Sequence, residues 1–164
     1  MPPFEHAVAA TRGARDYQED TAAFWPDGGE GVRLSSEGPS FDVGGFAVLA
    51  DGMGGHAGGA VASRMVCENF LGAAADHSGS TSDRLMAGLR AANDAVATKI
   101  EESPLLAGMG STVVGAAFGP GGMQWVSVGD SPLFLFRRGE VAVLNEDHSL
   151  APELDRLVAE GLLT

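Results

Sequence analysis

Residues Val48–Gly59 read V-L-A-D-G-M-G-G-H-A-G-G. The apolar run GGFAVLA (44–50) stops at a single aspartate, Asp51, and five of the next eight residues are glycine. A continuous apolar run bounded by glycine reads as a buried, central strand. An aspartate at the end of such a strand is delivered by a rigid element. The glycines after it strip the turn of side chains and leave the Gly52 carbonyl open as a further oxygen donor.

The pattern changes on both sides of this point. After the glycines a helix is expected near 58–74, with Val61, Met65 and Phe70 on one face. The segment DHSGSTS (76–82) is a linker with N-cap residues. A second helix follows, in which Leu85, Leu89, Ala92, Val96 and Ile100 form one buried stripe and which stops before Pro104. Four β runs then come in close order at 111–118, 123–129, 132–138 and 140–145. They are joined by the turns GPGG, GDSP and RRGE, which predicts an antiparallel meander. The last segment, APELDRLVAEGLLT, reads as a short helix. Upstream, FEHAVAAT (4–11) alternates like a strand and TAAFW (21–25) is a short strand. Residues 26–43, rich in Gly, Pro and Ser, read as a long hairpin or mobile loop. Strands, two helices and then more strands define an α+β layered domain, with residues 1–164 as one unit.

Composition narrows the function. The chain has 164 residues, 45% of them hydrophobic, enough for one domain with a real core. Acids outnumber bases by 22 to 10, a net charge of -12. That balance excludes nucleic acid as a partner, because a basic face is needed to displace counterions. It fits a soluble protein, or one whose acids hold cations. The lone Cys67 allows no internal disulfide, which points to the reducing cytoplasm, and its helical setting makes it a small core residue rather than a nucleophile. The N-terminus MPPFEHAVAATRG has no apolar signal region, and no run is long enough to span a bilayer, so no membrane association is expected.

Three acidic spots stand at strand ends: Glu19 with Asp20, Asp51 with Gly52, and Asp130 in VGDS. Taken singly, each is a turn former at a strand exit. Gathered at one sheet edge they need a counter-charge, since two carboxylates about 4 Å apart repel by about 4 kcal/mol at an effective dielectric near 20. Hard divalent cations such as Mn²⁺ or Mg²⁺, held by carboxylates, carbonyls and water, supply it. No Cys/His spacing suits zinc, and no Ser-His-Asp order is present. Gly52–Ala57 also matches a relaxed dinucleotide fingerprint, G-x-G-x-x-A. Against that, Asp51 would sit on the pyrophosphate, and the later strands lack the alternating βαβ order. A P-loop is excluded because no Lys-Ser/Thr follows.

Five stretches in order, GARDYQED (13–20), FAVLADGMGGHAGG (46–59), MGSTVV (109–114), VSVGDS (126–131) and LNEDHSL (144–150), resemble the bacterial PPM-type, protein phosphatase 2C-like, metal-dependent serine/threonine phosphatases. The resemblance runs from about Ala10 to the last residue. It implies a layered β-sandwich of antiparallel sheets flanked by helices, with a binuclear Mn²⁺ or Mg²⁺ centre and an extra, weaker metal site. It further implies that Asp51 bridges both ions, that Glu19 and the Gly52 carbonyl hold one of them, and that Asp130 serves the extra ion. Asp20 would orient the attacking water, Arg15 would clamp the substrate phosphate, and His56 would protonate the leaving oxygen. His148 is expected to be structural, and Ser131 and Ser149 to be turn hydroxyls. The substrate implied is a phosphoprotein made by an opposing Ser/Thr kinase.

The sequence departs from the family pattern in places. Gln18 stands where Asn is frequent, and Pro132 follows GDS where Arg is common. The family's later Asp-Gly and Gly-x-x-Asp-Asn motifs do not occur, so the resemblance implies a catalytic domain present only in its N-terminal portion. From that follow two expectations: weak metal binding with low activity for these residues alone, and self-association or domain exchange through an unfinished sheet edge. A phosphatase-fold module that binds a phosphoprotein or kinase without turnover is the alternative.

Overall fold

The computed structural model describes residues 5–14, 16–27, 29–30, 44–54, 57–149 and 151–162. Arg15, His56 and most of the expected loop at 26–43 lie outside the described residues. Strand β1 is Asp20–Trp25, β2 Gly45–Met53, β3 Gly110–Ser111, β4 Val113–Gly119 and β5 Gly122–Val128. They form one sheet in the order β1-β2-β4-β5, with β3 extending the pairing of β2, and every pairing is antiparallel. The run that ends at Asp51 is therefore the central strand, as its composition predicts.

Among the described residues the two faces of that strand are covered unequally. Phe46, Val48 and Ala50 are buried, whereas Leu49, in the opposite phase, is 44% exposed. The alternation arises because both long helices, α1 (Ala57–Asp76) and α2 (Thr81–Glu102), lie on the same side of the sheet. Phe46, Cys67, Phe70 and Leu71 are fully buried between the layers, with Val66, Leu85, Ala92, Val113 and Ala117 around them. Burying each large side chain of this kind contributes about 1.5–3 kcal/mol. Gly115 on β4 makes room for the Phe70 ring, since a Cβ there would stand 2.7 Å from Phe70 Cε1. On α1 the buried stripe is Ala62, Val66, Phe70 and Ala74. The expected Val61 and Met65 are half-buried, because the helix is rotated to bring Phe70 over that glycine.

α2 begins with a capping box: the Asp83 N–H donates to Ser80 Oγ at 3.2 Å and the Ser80 N–H to Asp83 Oδ2 at 3.1 Å. It ends at Glu102, just before Pro104 opens a single 3₁₀ turn. The buried Arg84 joins the two helices. Its guanidinium donates to the carbonyls of Ala74 (2.8 Å) and Ala75 (2.9 Å) in the last turn of α1 and lies over the Phe46 ring.

Two expectations need correction. The four late β runs are not one meander: β4 and β5 belong to the first sheet, while among the described residues β6 (Phe134–Arg137) and β7 (Glu140–Val143) pair with each other alone. Pairing breaks at Gly129, whose φ of 101° turns the chain away. The hairpin itself closes through Arg138-Gly139, both at positive φ, a geometry matched to strand twist. Of the strand expected at 4–11, residues 5–11 form none, and Phe4 lies outside the described residues. They are exposed and pair with none of the described strands; His6 instead stacks on Phe24 with ring centroids 4.1 Å apart. The last described element is α3, Ala151–Ala159. Among the described residues no helix is long and apolar enough to cross a membrane.

Candidate metal centre

Glu19, Asp20 and Asp51, three of the acids singled out by the sequence, lie at the end of the β1–β2 ladder. Asp20 stands directly opposite Asp51 in the register. Opposed residues of an antiparallel pair have Cβ atoms about 4.5–5.5 Å apart on one face. The two carboxylates therefore leave the sheet side by side, on the face that the helices leave open, and both are exposed. One step further, the Gly52 N–H donates to the Glu19 carbonyl at 3.1 Å, which carries the ladder on to Glu19. Alternation turns the Glu19 side chain the other way, towards the first turn of α1. Glu19 is half-buried there, and its Oε1 is shielded from solvent.

Glycine makes this approach possible. A Cβ at Gly59 would collide with Glu19 Oε1 and lie 2.8 Å from the Gly52 carbonyl oxygen; a Cβ at Gly52 would run into the Gly59 carbonyl. One carboxylate oxygen and one carbonyl oxygen thus border a small volume that the two glycines keep open. An all-oxygen donor set of this kind suits a hard divalent cation, so the residues fit Mn²⁺ or Mg²⁺. Among the described residues no group of three or more His, Cys, Asp or Glu side chains is disposed to hold a metal. The arrangement is Glu19 with the Gly52 carbonyl on one side of the ladder end, and Asp20 with Asp51 on the other.

Asp130 is exposed on the turn after β5, and that turn is tied to the same ladder end. Thr112 Oγ1 accepts the Asp51 N–H at 3.0 Å and lies 2.7 Å from Ser131 Oγ. Asn145 holds the turn from the far side: its Nδ2 donates to the Ser131 carbonyl (2.9 Å) and its Oδ1 accepts the Leu133 N–H (2.7 Å). The His148 N–H donates to the Gly129 carbonyl at 3.2 Å. Sequence reading passes over Thr112 and Asn145, counts Gly59 as one more glycine that clears the turn, and takes Ser131 for a turn hydroxyl although it is buried. The available signal is an uncharged polar residue set against apolar strands within MGSTVV and LNEDHSL.

Comparison with known proteins identifies the family. The family profile described as Protein phosphatase 2C matches residues 37–156. The chain belongs to the protein phosphatase 2C family. The serine/threonine protein phosphatase PstP of Mycobacterium tuberculosis is 36% identical over 134 residues, which make up 81% of this chain and 26% of PstP. The serine/threonine phosphatase stp of Listeria welshimeri is 34% identical over 116 residues, 68% of this chain and 46% of stp. The chain thus spans between about a quarter and about a half of the length of these relatives. The crystal structure of M. tuberculosis PstP superposes with a TM-score of 0.66 at 32% identity, covering 92% of this chain and 56% of that one. The PstP catalytic domain in complex with two manganese ions gives a TM-score of 0.61 at 30% identity, over 88% of this chain and 63% of that one.

Proposed function

We propose that this chain carries metal-ligand residues of a serine/threonine phosphoprotein phosphatase that hydrolyses phosphate monoesters with two Mn²⁺ or Mg²⁺ ions and a weaker third site. The observation that carries this reading is the β1–β2 ladder end, where Asp20 opposes Asp51 and Glu19 meets the Gly52 carbonyl against Gly59. The family relationship, and a relative at 30% identity that binds two manganese ions, support the choice of metal. Asp51, Glu19 and the Gly52 carbonyl would hold the two ions, and Asp130 would serve the third. When bound, such ions supply Lewis acidity and lower the pKa of water towards neutrality.

The chain's own groups do the rest. Asp20, beside Asp51, accepts a hydrogen bond from the attacking water and aims it at phosphorus. Arg15 offers paired N–H donors to the phosphoryl oxygens, where charge accumulates as the new P–O bond forms. His56 gives a proton to the serine or threonine oxygen as the old P–O bond breaks. Substrates would be phosphoproteins made by a Ser/Thr kinase, in the cytoplasm. The decisive measurement is Mn²⁺-dependent hydrolysis of an aryl phosphate and a phosphopeptide. Asp51→Ala is expected to abolish both turnover and Mn²⁺ binding; full activity in that variant, or turnover indifferent to Mn²⁺, overturns the reading.

A second reading is a phosphatase-fold module that binds a phosphoprotein or kinase without hydrolysis. It is favoured by one observation, that no three ligand-type side chains converge among the described residues. Under it, Asp51→Ala spares partner binding. In either case the open sheet face, with Leu49 and Trp125 exposed, and the apolar hairpin residues Phe134, Phe136, Val141 and Val143 offer a surface on which a second copy of this chain would pack.

A further inference from the structure

The pairing of β2 with β3 and with β4 is one register, interrupted at a single place. Leu49 opposes Val114 and Gly52 opposes Ser111, so Asp51 stands opposite Thr112. The Thr112 N–H donates to the Asp51 carbonyl at 2.9 Å, as a ladder requires. The return bond is different: the Asp51 N–H goes to the Thr112 hydroxyl rather than to its carbonyl. Ser111 Oγ shares its proton between the Asp51 carbonyl (2.9 Å) and the Thr112 carbonyl (2.8 Å). Both peptide groups of Asp51 are thereby held by two consecutive hydroxyl residues.

The Thr112 hydroxyl does not end there. It is buried, 4% exposed, and paired with the Ser131 hydroxyl, itself 9% exposed. The turn packs straight onto Thr112, since a Cβ at Gly129 would lie 2.6 Å from Thr112 Cγ2. Asn145 and the His148 N–H brace the same turn from its other side. A displacement of Asp51 along β2 must therefore move Thr112, Ser131 and the turn that bears Asp130, because a buried hydroxyl left without its partner is costly.

We propose that Thr112 and Ser131 are positioning residues, a buried hydroxyl pair that couples the Asp51–Gly52 ligand end to the Asp130 turn, so that cation binding at one is felt at the other. This rests on the metal-centre reading of Asp51. The coupling expected for such a link is about 5- to 50-fold in affinity.

Two readouts on this chain test it. The first needs no metal: amide hydrogen exchange, resolved by residue. Ser131→Ala and Thr112→Val are expected to speed exchange at the Asp51 amide and across 129–131 together, while Thr112→Ser, which keeps the hydroxyl, leaves both slow. The second is Mn²⁺ calorimetry, in which Ser131→Ala and Thr112→Val weaken binding about 5- to 50-fold and Thr112→Ser restores it. An Asp51 amide as protected in Ser131→Ala as in the parent, or unchanged Mn²⁺ affinity in that variant, overturns the coupling. Asp51→Asn binding Mn²⁺ as tightly as the parent sinks the metal-centre reading instead, and the exchange data still decide whether the hydroxyl pair links the two segments.

Discussion

Gly59 sits in the first turns of α1, where alanine would ordinarily stabilise a helix by about 1 kcal/mol. Here an added methyl would enter the volume bordered by Glu19 Oε1 and the Gly52 carbonyl. Gly59→Ala is expected to keep its helical circular dichroism yet lose at least about tenfold in Mn²⁺ affinity, equivalent to about 1.4 kcal/mol. Calorimetry that finds a more stable protein with unchanged Mn²⁺ binding removes the cradle from the argument. Cys67 marks the opposite kind of residue. It is fully buried on α1, its Sγ donating to the Thr21 carbonyl at 3.4 Å. Burial, aided by the neighbouring Glu68 charge, pushes its thiol up to about 12. Iodoacetamide at pH 8 should therefore leave the native thiol unmodified and label it only as the chain unfolds in denaturant. Rapid labelling of the folded protein would contradict that environment.

At the scale of elements, α2 depends most visibly on its N-terminus. Hydrogen bonds from the Ser80 hydroxyl and N–H hold the Asp83 carboxylate below the usual carboxylate range. The fold therefore favours the ionised form. Its contribution is fully present above the unfolded value of about 4, and is lost as pH falls through the lower folded value. Ser80→Ala is expected to cost about 1 kcal/mol in urea unfolding at neutral pH. The variant should also show a shallower loss of stability on acidification than the parent. An identical acid limb in both would mean that the capping box contributes nothing to the pH dependence. Arg84 matters on the same scale, since it ties the last turn of α1 to α2 and so fixes the helix that carries Gly59.

For the whole molecule the decisive feature is asymmetry. One face of the sheet is sealed by α1 and α2, while the other leaves Leu49 44% and Trp125 40% exposed, with a shallow cavity of about 240 Å³ lined by Phe24, Leu49, Phe118, Met123 and Leu133 among others. Apolar surface of this extent favours association. Light scattering is expected to show a mass that rises with concentration, and Leu49→Lys with Trp125→Lys to return the chain to monomer. A parent that stays monomeric at millimolar concentration would rule out the second copy as the occupant of this face.

The local plan was legible in the residues. The apolar run ending at Asp51, the glycine turn and α1 follow from periodicity and from the absence of Cβ atoms. So do the stripe of α2, its stop before Pro104 and the hairpin turn at Arg138-Gly139. These are interactions among near neighbours in the chain, and near neighbours are what a sequence displays. Glu19, Asp20, Asp51 and Asp130 stand out in the sequence as acids at strand ends, and the β1–β2 register sets Asp20 opposite Asp51. Long-range contacts decided the rest. Tertiary structure alone determined that, among the described residues, the central strand carries both helices on one face, that 5–11 forms no strand, and that β5 is an edge of the first sheet. It also decided that Thr112, 61 positions from Asp51, replaces a ladder bond with its hydroxyl. The physical reason is the same throughout. Alternation and helical period specify which residues share a face, whereas the partner that each face or peptide group meets depends on packing between segments far apart along the chain.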